Sequence, residues 1–133
     1  MPWIENISLE DVVDRLHIEP SPKSILIQIV DPKMEHPTPA HKFTEVFKFK
    51  FEDTEDQSDP GAITDEQAKE VVNILKRALE TRSDVIVHCV AGVYRSGSVC
   101  EVGVLMGFSD TERFRIPNPL VKLKLLQALD FND

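Results

Sequence analysis

The segment of this sequence that most restricts the possible folds is Ser24–Val30, which reads Ser-Ile-Leu-Ile-Gln-Ile-Val. A strand with one solvated face alternates apolar and polar residues, whereas this run is apolar almost throughout and rich in β-branched side chains. It therefore predicts a strand that is buried on both faces. Such strands occur in sheets that are covered by helices, so the segment favours an α/β fold.

The rest of the chain supplies the other elements of such a fold. Val46–Phe51 alternates strictly and predicts a half-buried strand, and Asp84–His88 predicts a short buried one. Helices are predicted at Ser8–Leu16, from the capping-box pattern Thr64-Asp65-Glu66-Gln67 to Leu79, at Ser96–Met106, and at Leu120–Leu129 after the pair Asn118-Pro119. We therefore expect a central, mostly parallel sheet flanked by helices, in a single domain over residues 1–133.

The first helix is predicted from a cap and from the spacing of its apolar residues. Ser8 has the chemistry of an N-cap, and Pro20 and Pro22 are expected to break the helix. The residues predicted to share its buried face are Leu9, Val12, Val13 and Leu16. The proline-rich stretch 31–42 and the acidic stretch 52–61 are predicted loops.

The charge of the chain narrows its partners. The 133 residues include 23 acidic and 15 basic side chains, a net charge of −8. A domain this acidic repels polyphosphate backbones and anionic lipids, so we expect no nucleic-acid or membrane partner. The two cysteines, Cys89 and Cys100, make no disulfide framework and fit a reducing compartment. With no apolar run of membrane-spanning length and no signal-peptide pattern, we expect a cytoplasmic monomer.

The segment richest in candidate catalytic and anion-binding residues is Val87–Ser96, which lies between a predicted buried strand and a predicted helix. A strand–loop–helix junction directs backbone N–H groups and a helix N-terminus at one point, which attracts an anion such as phosphate. The same amides and Arg95 would stabilise the Cys89 side chain as a thiolate at neutral pH. Arg95 also offers a planar pair of donors for two phosphate oxygens.

The remaining residues of this loop have supporting roles. Gly92 permits a tight backbone path around the anion, and the hydroxyl of Ser96 stands where it could help the sulfur leave. The residues whose backbone is expected to bind the phosphate are Val90, Ala91, Gly92, Val93, Tyr94 and Arg95. His88 is expected to make a local hydrogen bond that orients the loop rather than to bind zinc.

The residues His88-Cys89 and Arg95-Ser96, separated by five others, resemble the His-Cys-x5-Arg-Ser signature of the cysteine-dependent protein tyrosine phosphatases. The resemblance is strongest to the compact dual-specificity type of the small bacterial and phage members. It covers roughly residues 24–130 and includes Phe51-Glu52-Asp53, which is similar to the family's Phe-x-Asp acid loop. Two residues depart from the family pattern: Tyr94 stands where Ser or Thr is usual, and Gly97 where Thr or Pro is frequent.

The resemblance implies a phosphomonoester hydrolase with a two-step, cofactor-free and metal-free mechanism through a phosphocysteine intermediate. Its substrate would be a phosphorylated protein or a small aryl phosphate. Such enzymes use an aspartic acid as general acid and then as base, and Asp53, Asp56 and Asp59 are the candidates here. Asp53 is favoured because it directly follows a predicted strand and matches the Phe-x-Asp position, whereas Asp56 and Asp59 also fit a merely solvated acidic loop.

Two other functions remain open at this stage. A rhodanese-like sulfurtransferase also places a cysteine in a loop beside an arginine, although that loop is usually shorter than the five residues found here. A phosphate-recognition module that has lost turnover is the non-enzymatic alternative. For Cys100, a core position and a reversible disulfide with Cys89 are the two interpretations.

Overall fold

The computed structural model describes residues 2–14, 21 and 23–131 of the chain. Its strands are β1 (Trp3–Ile7), β2 (Ser24–Val30), β3 (Glu45–Lys50), β4 (Asp84–His88) and β5 (Ser109–Asp110). Its helices are α1 (Leu9–Val13), α2 (Asp65–Thr81), α3 (Arg95–Met106) and α4 (Pro119–Phe131).

The five strands form one sheet in the order β3-β2-β4-β1-β5, and every neighbouring pair is parallel. The predicted α/β class, with a central sheet flanked by helices, is confirmed. Because the strands are parallel, their carboxyl ends lie along the same edge. At that edge His88 of β4 is level with Ile7 of β1 and Gln28 of β2.

Strand β2 is covered on both faces, as its composition predicts. All seven of its residues are buried. Ile25, Ile27 and Ile29 belong to the larger core, which includes side chains of α2, α3 and α4. Leu26 points the other way and packs in a smaller cluster with Val12 of α1. This alternation explains why a run with almost no polar residue is stable here.

Strand β3 and the two capped helices also follow their sequence patterns. Phe47 and Phe49 of β3 face the core, while Lys48 between them is exposed. Thr64 Oγ1 accepts a hydrogen bond from the Gln67 amide, and Gln67 Oε1 accepts one from the Thr64 amide, which completes the capping box of α2. Asn118 Oδ1 accepts from the amides of residues 120 and 121 and so caps α4.

The prediction for the first helix is partly wrong. Ser8 does cap it, since its hydroxyl accepts from the Asp11 amide. The helix has only five residues and buries Val12, whereas Val13 is 44% exposed. A helix this short has room for one inward residue, and the next residue lies about 100° around the axis. Leu16, Pro20 and Pro22 lie outside the described residues.

Strands β1 and β5 were not predicted. Strand β1 carries the polar residues Glu5 and Asn6 in its five positions, and β5 has only two residues. Neither strand is long or regular enough to show a periodicity of apolar residues. Each is stabilised by pairing with a strand that is distant in the sequence. None of the described helices is long and apolar enough to cross a lipid bilayer.

Candidate active site

The candidate site is the loop between β4 and α3, at the carboxyl edge of the sheet. Cys89 directly follows β4 and is 1% exposed. Its sulfur lies 3.3 Å from the Gly92 backbone nitrogen, which donates to it, and 3.1 Å from Ser96 Oγ. The loop therefore curves around the buried sulfur.

Four carbonyl groups of this loop point away from the sulfur, because each of the four accepts from a donor outside the loop. A trans peptide group points its N–H opposite to its C=O, so the amides that follow these carbonyls face inward. Inward amides form an anion-binding concavity. The outer hydrogen bonds are Leu9 N to Val90 O (3.1 Å), Asn6 Nδ2 to Gly92 O (2.7 Å), Ile116 N to Val93 O (3.1 Å) and Asn118 N to Tyr94 O (3.3 Å).

Gly92 makes the turn of this loop possible. Its φ is +76°, and a Cβ at this position would lie 2.4 Å from the backbone carbon of Ile7. A side chain would therefore be strained and would also displace β1.

Asn6 supports the loop from β1, and the sequence analysis did not identify it as a site residue. Its buried amide donates to the carbonyl oxygens of Gly92 and Phe114, at 2.7 and 3.0 Å. An asparagine in a strand next to β4 would have been a signal, but β1 itself had not been predicted.

Arg95, the first residue of α3, is held by one of its terminal nitrogens. Nη1 donates to Asp31 Oδ1 at 2.6 Å and to the carbonyl oxygen of Phe51 at 2.8 Å. The side chain is only 5% exposed, and its buried Nε has no hydrogen-bond partner among the described residues. The Nε edge of the guanidinium is thus left for another acceptor. An unpaired buried donor is costly, so a bound anion on this edge would be stabilised.

Asp31 is the second site residue that the sequence analysis missed. It directly follows β2, the neighbour of β4 in the sheet. In a parallel sheet the residues after adjacent strands meet at one edge, and this rule, applied to an acidic residue after the most apolar strand, was the available signal.

The three candidate acids lie in different surroundings. Asp53 lines the same cavity as Arg95, and its Oδ1 accepts a hydrogen bond from Asn118 Nδ2 at 2.7 Å. Asp56 instead accepts from the hydroxyl and the amide of Ser58, which lower the pKa of its carboxyl. Asp59 Oδ1 accepts from the Gly61 amide at 2.8 Å. Asp56 and Asp59 therefore stabilise their own turns, and Asp53 alone of the three borders the cavity of Arg95.

His88 lies beneath the loop and is fully buried. Burial lowers the pKa of this histidine to about 4, so the ring is neutral at physiological pH. Its Nδ1 lies 3.2 Å from the carbonyl oxygen of Cys89, which can only accept, and we therefore assign the ring hydrogen to Nδ1. The ring bonds to the backbone of the loop, in line with its predicted orienting role.

Cys100 occupies a core position, as one of its two interpretations predicted. It is fully buried, and its thiol donates to the carbonyl oxygen of Ile4 at 3.7 Å. Burial raises the pKa of this thiol to about 12, so it stays protonated. Among the described residues, no group of three or more His, Cys, Asp or Glu side chains is placed to hold a metal ion.

An open cavity of about 600 Å³ lies above the loop. Arg95 and Asp53 line it, together with Ala91 and the exposed residues Val90 and Tyr94. Gly92 and Val93, and again Ala91, are among the residues that line a separate cavity of about 250 Å³. Of the six loop residues predicted to bind phosphate, four thus line the cavity of Arg95, whereas Gly92 and Val93 line only the other one.

No family model matches the sequence, and no curated protein is similar to it at the level of sequence. Several solved structures are nevertheless similar to this chain in fold. Human DUSP28 superposes with a TM-score of 0.67 and 15% identity, over 100% of this chain and 97% of that one. The human tyrosine phosphatase-like serine/threonine/tyrosine-interacting protein has a TM-score of 0.66 and 12% identity, over 99% of this chain and 94% of that one. OH1 of the Orf virus, a tyrosine phosphatase, has a TM-score of 0.53 and 18% identity, over 100% of this chain and 72% of that one.

This chain has the fold of the compact dual-specificity phosphatases. The fold implied by the signature around Cys89 and Arg95 is thereby confirmed. At identities of 12 to 18% the similarity establishes the fold alone, so the chemistry depends on the site itself. The similar structures are phosphatases or phosphatase-like, and they give the sulfurtransferase alternative no support.

Proposed function

We propose that this protein is a cysteine-dependent phosphatase that hydrolyses phosphotyrosine, and phosphoserine or phosphothreonine as well, in protein substrates. The observation that carries the proposal is the loop around Cys89 Sγ, in which the Gly92 amide donates to the sulfur and four carbonyls are bonded outward, so that the amides after them face inward. The unpaired Nε edge of Arg95 adds a charged donor to the same side. Amides and a guanidinium around a sulfur suit the oxygens of a phosphoryl group.

In the first step the Cys89 thiolate attacks phosphorus, and the bond between phosphorus and the leaving oxygen breaks. Asp53 gives its proton to that oxygen, so the product leaves as an alcohol or phenol. In the second step water attacks the phosphocysteine and Asp53 takes a proton from it. The sulfur leaves as a thiolate, stabilised by the Gly92 amide and by the Ser96 hydroxyl at 3.1 Å.

The primary test is the release of phosphate from an aryl phosphate by the purified protein in the presence of a chelator. Vanadate, which mimics the pentacoordinate transition state, should block the reaction. A protein that binds phosphate or vanadate but shows no turnover would instead be a phosphate-recognition module. Cyanide consumption with thiosulfate, without phosphate release, would indicate a sulfurtransferase.

The Asp53→Asn protein is expected to lose roughly 10²-fold in kcat/KM, which reports the phosphoryl-transfer step, on a poor leaving group such as an alkyl phosphate. The loss should shrink as the leaving group becomes more acidic, because an acidic phenol needs no proton in order to depart. Asparagine keeps the oxygen that Asn118 contacts. The measurement is kcat/KM over a series of phosphate esters of increasing leaving-group acidity.

Asp56→Asn is the matched control, since the carboxylate of Asp56 bonds to Ser58 in the same loop. It should leave the whole series unchanged. A loss in Asp56→Asn with a normal Asp53→Asn protein would assign the acid to Asp56. An equal loss on every leaving group in Asp53→Asn would show that Asp53 is not a proton donor.

The Asp31→Ala protein is expected to lose roughly tenfold in kcat/KM for aryl phosphate. Alanine removes the acceptor that holds Nη1 of Arg95, so the guanidinium keeps only the Phe51 carbonyl oxygen. Asp31→Asn keeps an acceptor and removes a negative charge near the phosphate, so it should retain most of the activity. Equal losses in the two variants would show that charge rather than positioning matters.

A further inference from the structure

A second cavity, of about 340 Å³, adjoins the cavity of Arg95. The two share Asp53 and Tyr94 as a common wall. The second cavity is otherwise lined by Ile116, by the prolines at 117 and 119, by Asn118 and by the exposed Glu55. Its lining therefore combines apolar side chains with two carboxylates.

The apolar part of this cavity is accessible. Tyr94 is 41% exposed and Ile116 is 49% exposed. The backbone of Ile116 is fixed by its bond to the Val93 carbonyl oxygen, at 3.1 Å. Ile116 is thus attached to the same loop that surrounds Cys89, so a ligand packed against it would lie at a fixed distance from the phosphate.

The residues that line the two cavities include more carboxylates than cations. Their carboxylates are those of Asp31, Glu52, Asp53 and Glu55, and their cations are Lys33 and Arg95. Arg95 already pairs with Asp31 and would also bind the phosphate. Among the residues that the structure describes, no cation lines the second cavity. A positive group on the substrate is therefore attracted to this side of the site and a negative one is repelled.

We propose that the second cavity binds the side chain of a lysine or arginine next to the phosphorylated residue of a protein substrate. The aliphatic stem of such a side chain would cover Ile116 and Pro117, and its charged end would reach Glu55. Asp53 already accepts a hydrogen bond from Asn118, which leaves Glu55 as the principal partner of the cation. This substrate preference rests on the proposed phosphatase function.

The test is a set of phosphotyrosine peptides that are identical except at one position. Lysine, norleucine or glutamate is placed in turn at each of the three positions on either side of the phosphotyrosine. At one of these positions kcat/KM should be about fivefold higher for lysine than for norleucine, and at least about tenfold higher than for glutamate. The lysine advantage should decline in 1 M salt, where the screening length is about 3 Å.

A pair of charge-reversed proteins locates the effect. Glu55→Lys should reverse the order of the lysine and glutamate peptides while aryl phosphate hydrolysis stays unchanged. Glu80→Lys, at an exposed position of α2, makes the same change in net charge and should leave the order as in the wild type. The same peptide order in all three proteins, or an equal shift in both variants, would overturn the proposal.

Peptide affinities measured by fluorescence polarisation with Cys89→Ser separate this proposal from the phosphatase function. If aryl phosphate is not hydrolysed but lysine peptides still bind more tightly, and Glu55→Lys removes that preference, the cavity is assigned and the catalytic proposal fails. If aryl phosphate is hydrolysed and no peptide position distinguishes lysine from glutamate, the catalytic proposal stands and the assignment of the cavity fails.

Discussion

The Cys89→Ser protein is expected to hydrolyse aryl phosphates at least about 10⁴-fold more slowly than the wild type. A serine hydroxyl does not ionise at neutral pH, and it needs a general base to attack phosphorus. His88 offers none, because its Nδ1 bonds to the backbone oxygen of residue 89 and its Nε2 makes no hydrogen bond to the side chain at that position. Ser96 Oγ, at 3.1 Å from the sulfur, is itself a hydroxyl.

Phosphate and vanadate binding should survive in the same protein. The outward bonds of the loop carbonyls and the contacts of Arg95 do not involve the side chain of residue 89. Serine is close to cysteine in size and also offers an acceptor to the Gly92 amide. Calorimetric titration with inorganic phosphate should therefore give an affinity within a few-fold of the wild type, while turnover is lost. The same variant, used to capture phosphopeptides from a lysate, would identify substrates by mass spectrometry.

Cys100→Ala is the matched control for the other thiol. Cys100 lies in the core, its pKa is raised to about 12 by burial, and its thiol donates to the carbonyl oxygen of Ile4 in β1. Its replacement should cost some stability and leave kcat/KM unchanged. Turnover in Cys89→Ser within tenfold of the wild type would remove the thiolate mechanism. Iodoacetate labelling of Cys89 that vanadate fails to suppress would also contradict it.

The parts of the fold that depend on local sequence were predictable. Ser24–Val30 is apolar because both faces of β2 are covered, and the capping box at Thr64 determines where α2 begins. The Cys89–Arg95 segment was recognisable for a similar reason, since its roles depend on spacing within one contiguous stretch. A strand end, a glycine turn and a helix start fix that spacing with little help from the rest of the chain.

What the sequence did not reveal depends on which strands are neighbours. Asn6 reaches the loop across 86 residues of sequence, and Asp31 reaches Arg95 across 64. Their roles follow from the order β2-β4-β1, and no periodicity in the chain encodes that order. Val13 was misplaced for a related reason, because the length of α1 and the face that it buries are set by packing against the sheet.

The Arg95→Lys protein is expected to lose about 10³-fold or more in kcat/KM for aryl phosphate, although the charge is kept. Arginine contacts Asp31 and the Phe51 carbonyl oxygen with Nη1 and still presents Nε to the phosphate. Lysine has a single nitrogen. That ammonium would settle on Asp31, and the phosphate would lose its cation.

The two variants should differ in their affinity for phosphate, which Cys89→Ser should keep and Arg95→Lys should lose. Arg95→Lys should weaken phosphate binding as well as turnover, because the guanidinium contacts the oxygens in both the ground state and the transition state. Calorimetric titration with phosphate and initial-rate kinetics on the same preparation separate the two variants. Activity above about a tenth of the wild-type value would show that the guanidinium is not the phosphate clamp.

Competition between Asp31 and the phosphate predicts a specific coupling of two substitutions. In the Arg95→Lys background, Asp31→Asn should raise kcat/KM, because the ammonium is no longer held by a carboxylate. In the wild-type background the same substitution should leave activity nearly unchanged, because Arg95 has a second edge for the substrate. A double-mutant cycle measures the difference. If Asp31→Asn has the same effect in both backgrounds, Arg95 does not divide its nitrogens between protein and phosphate.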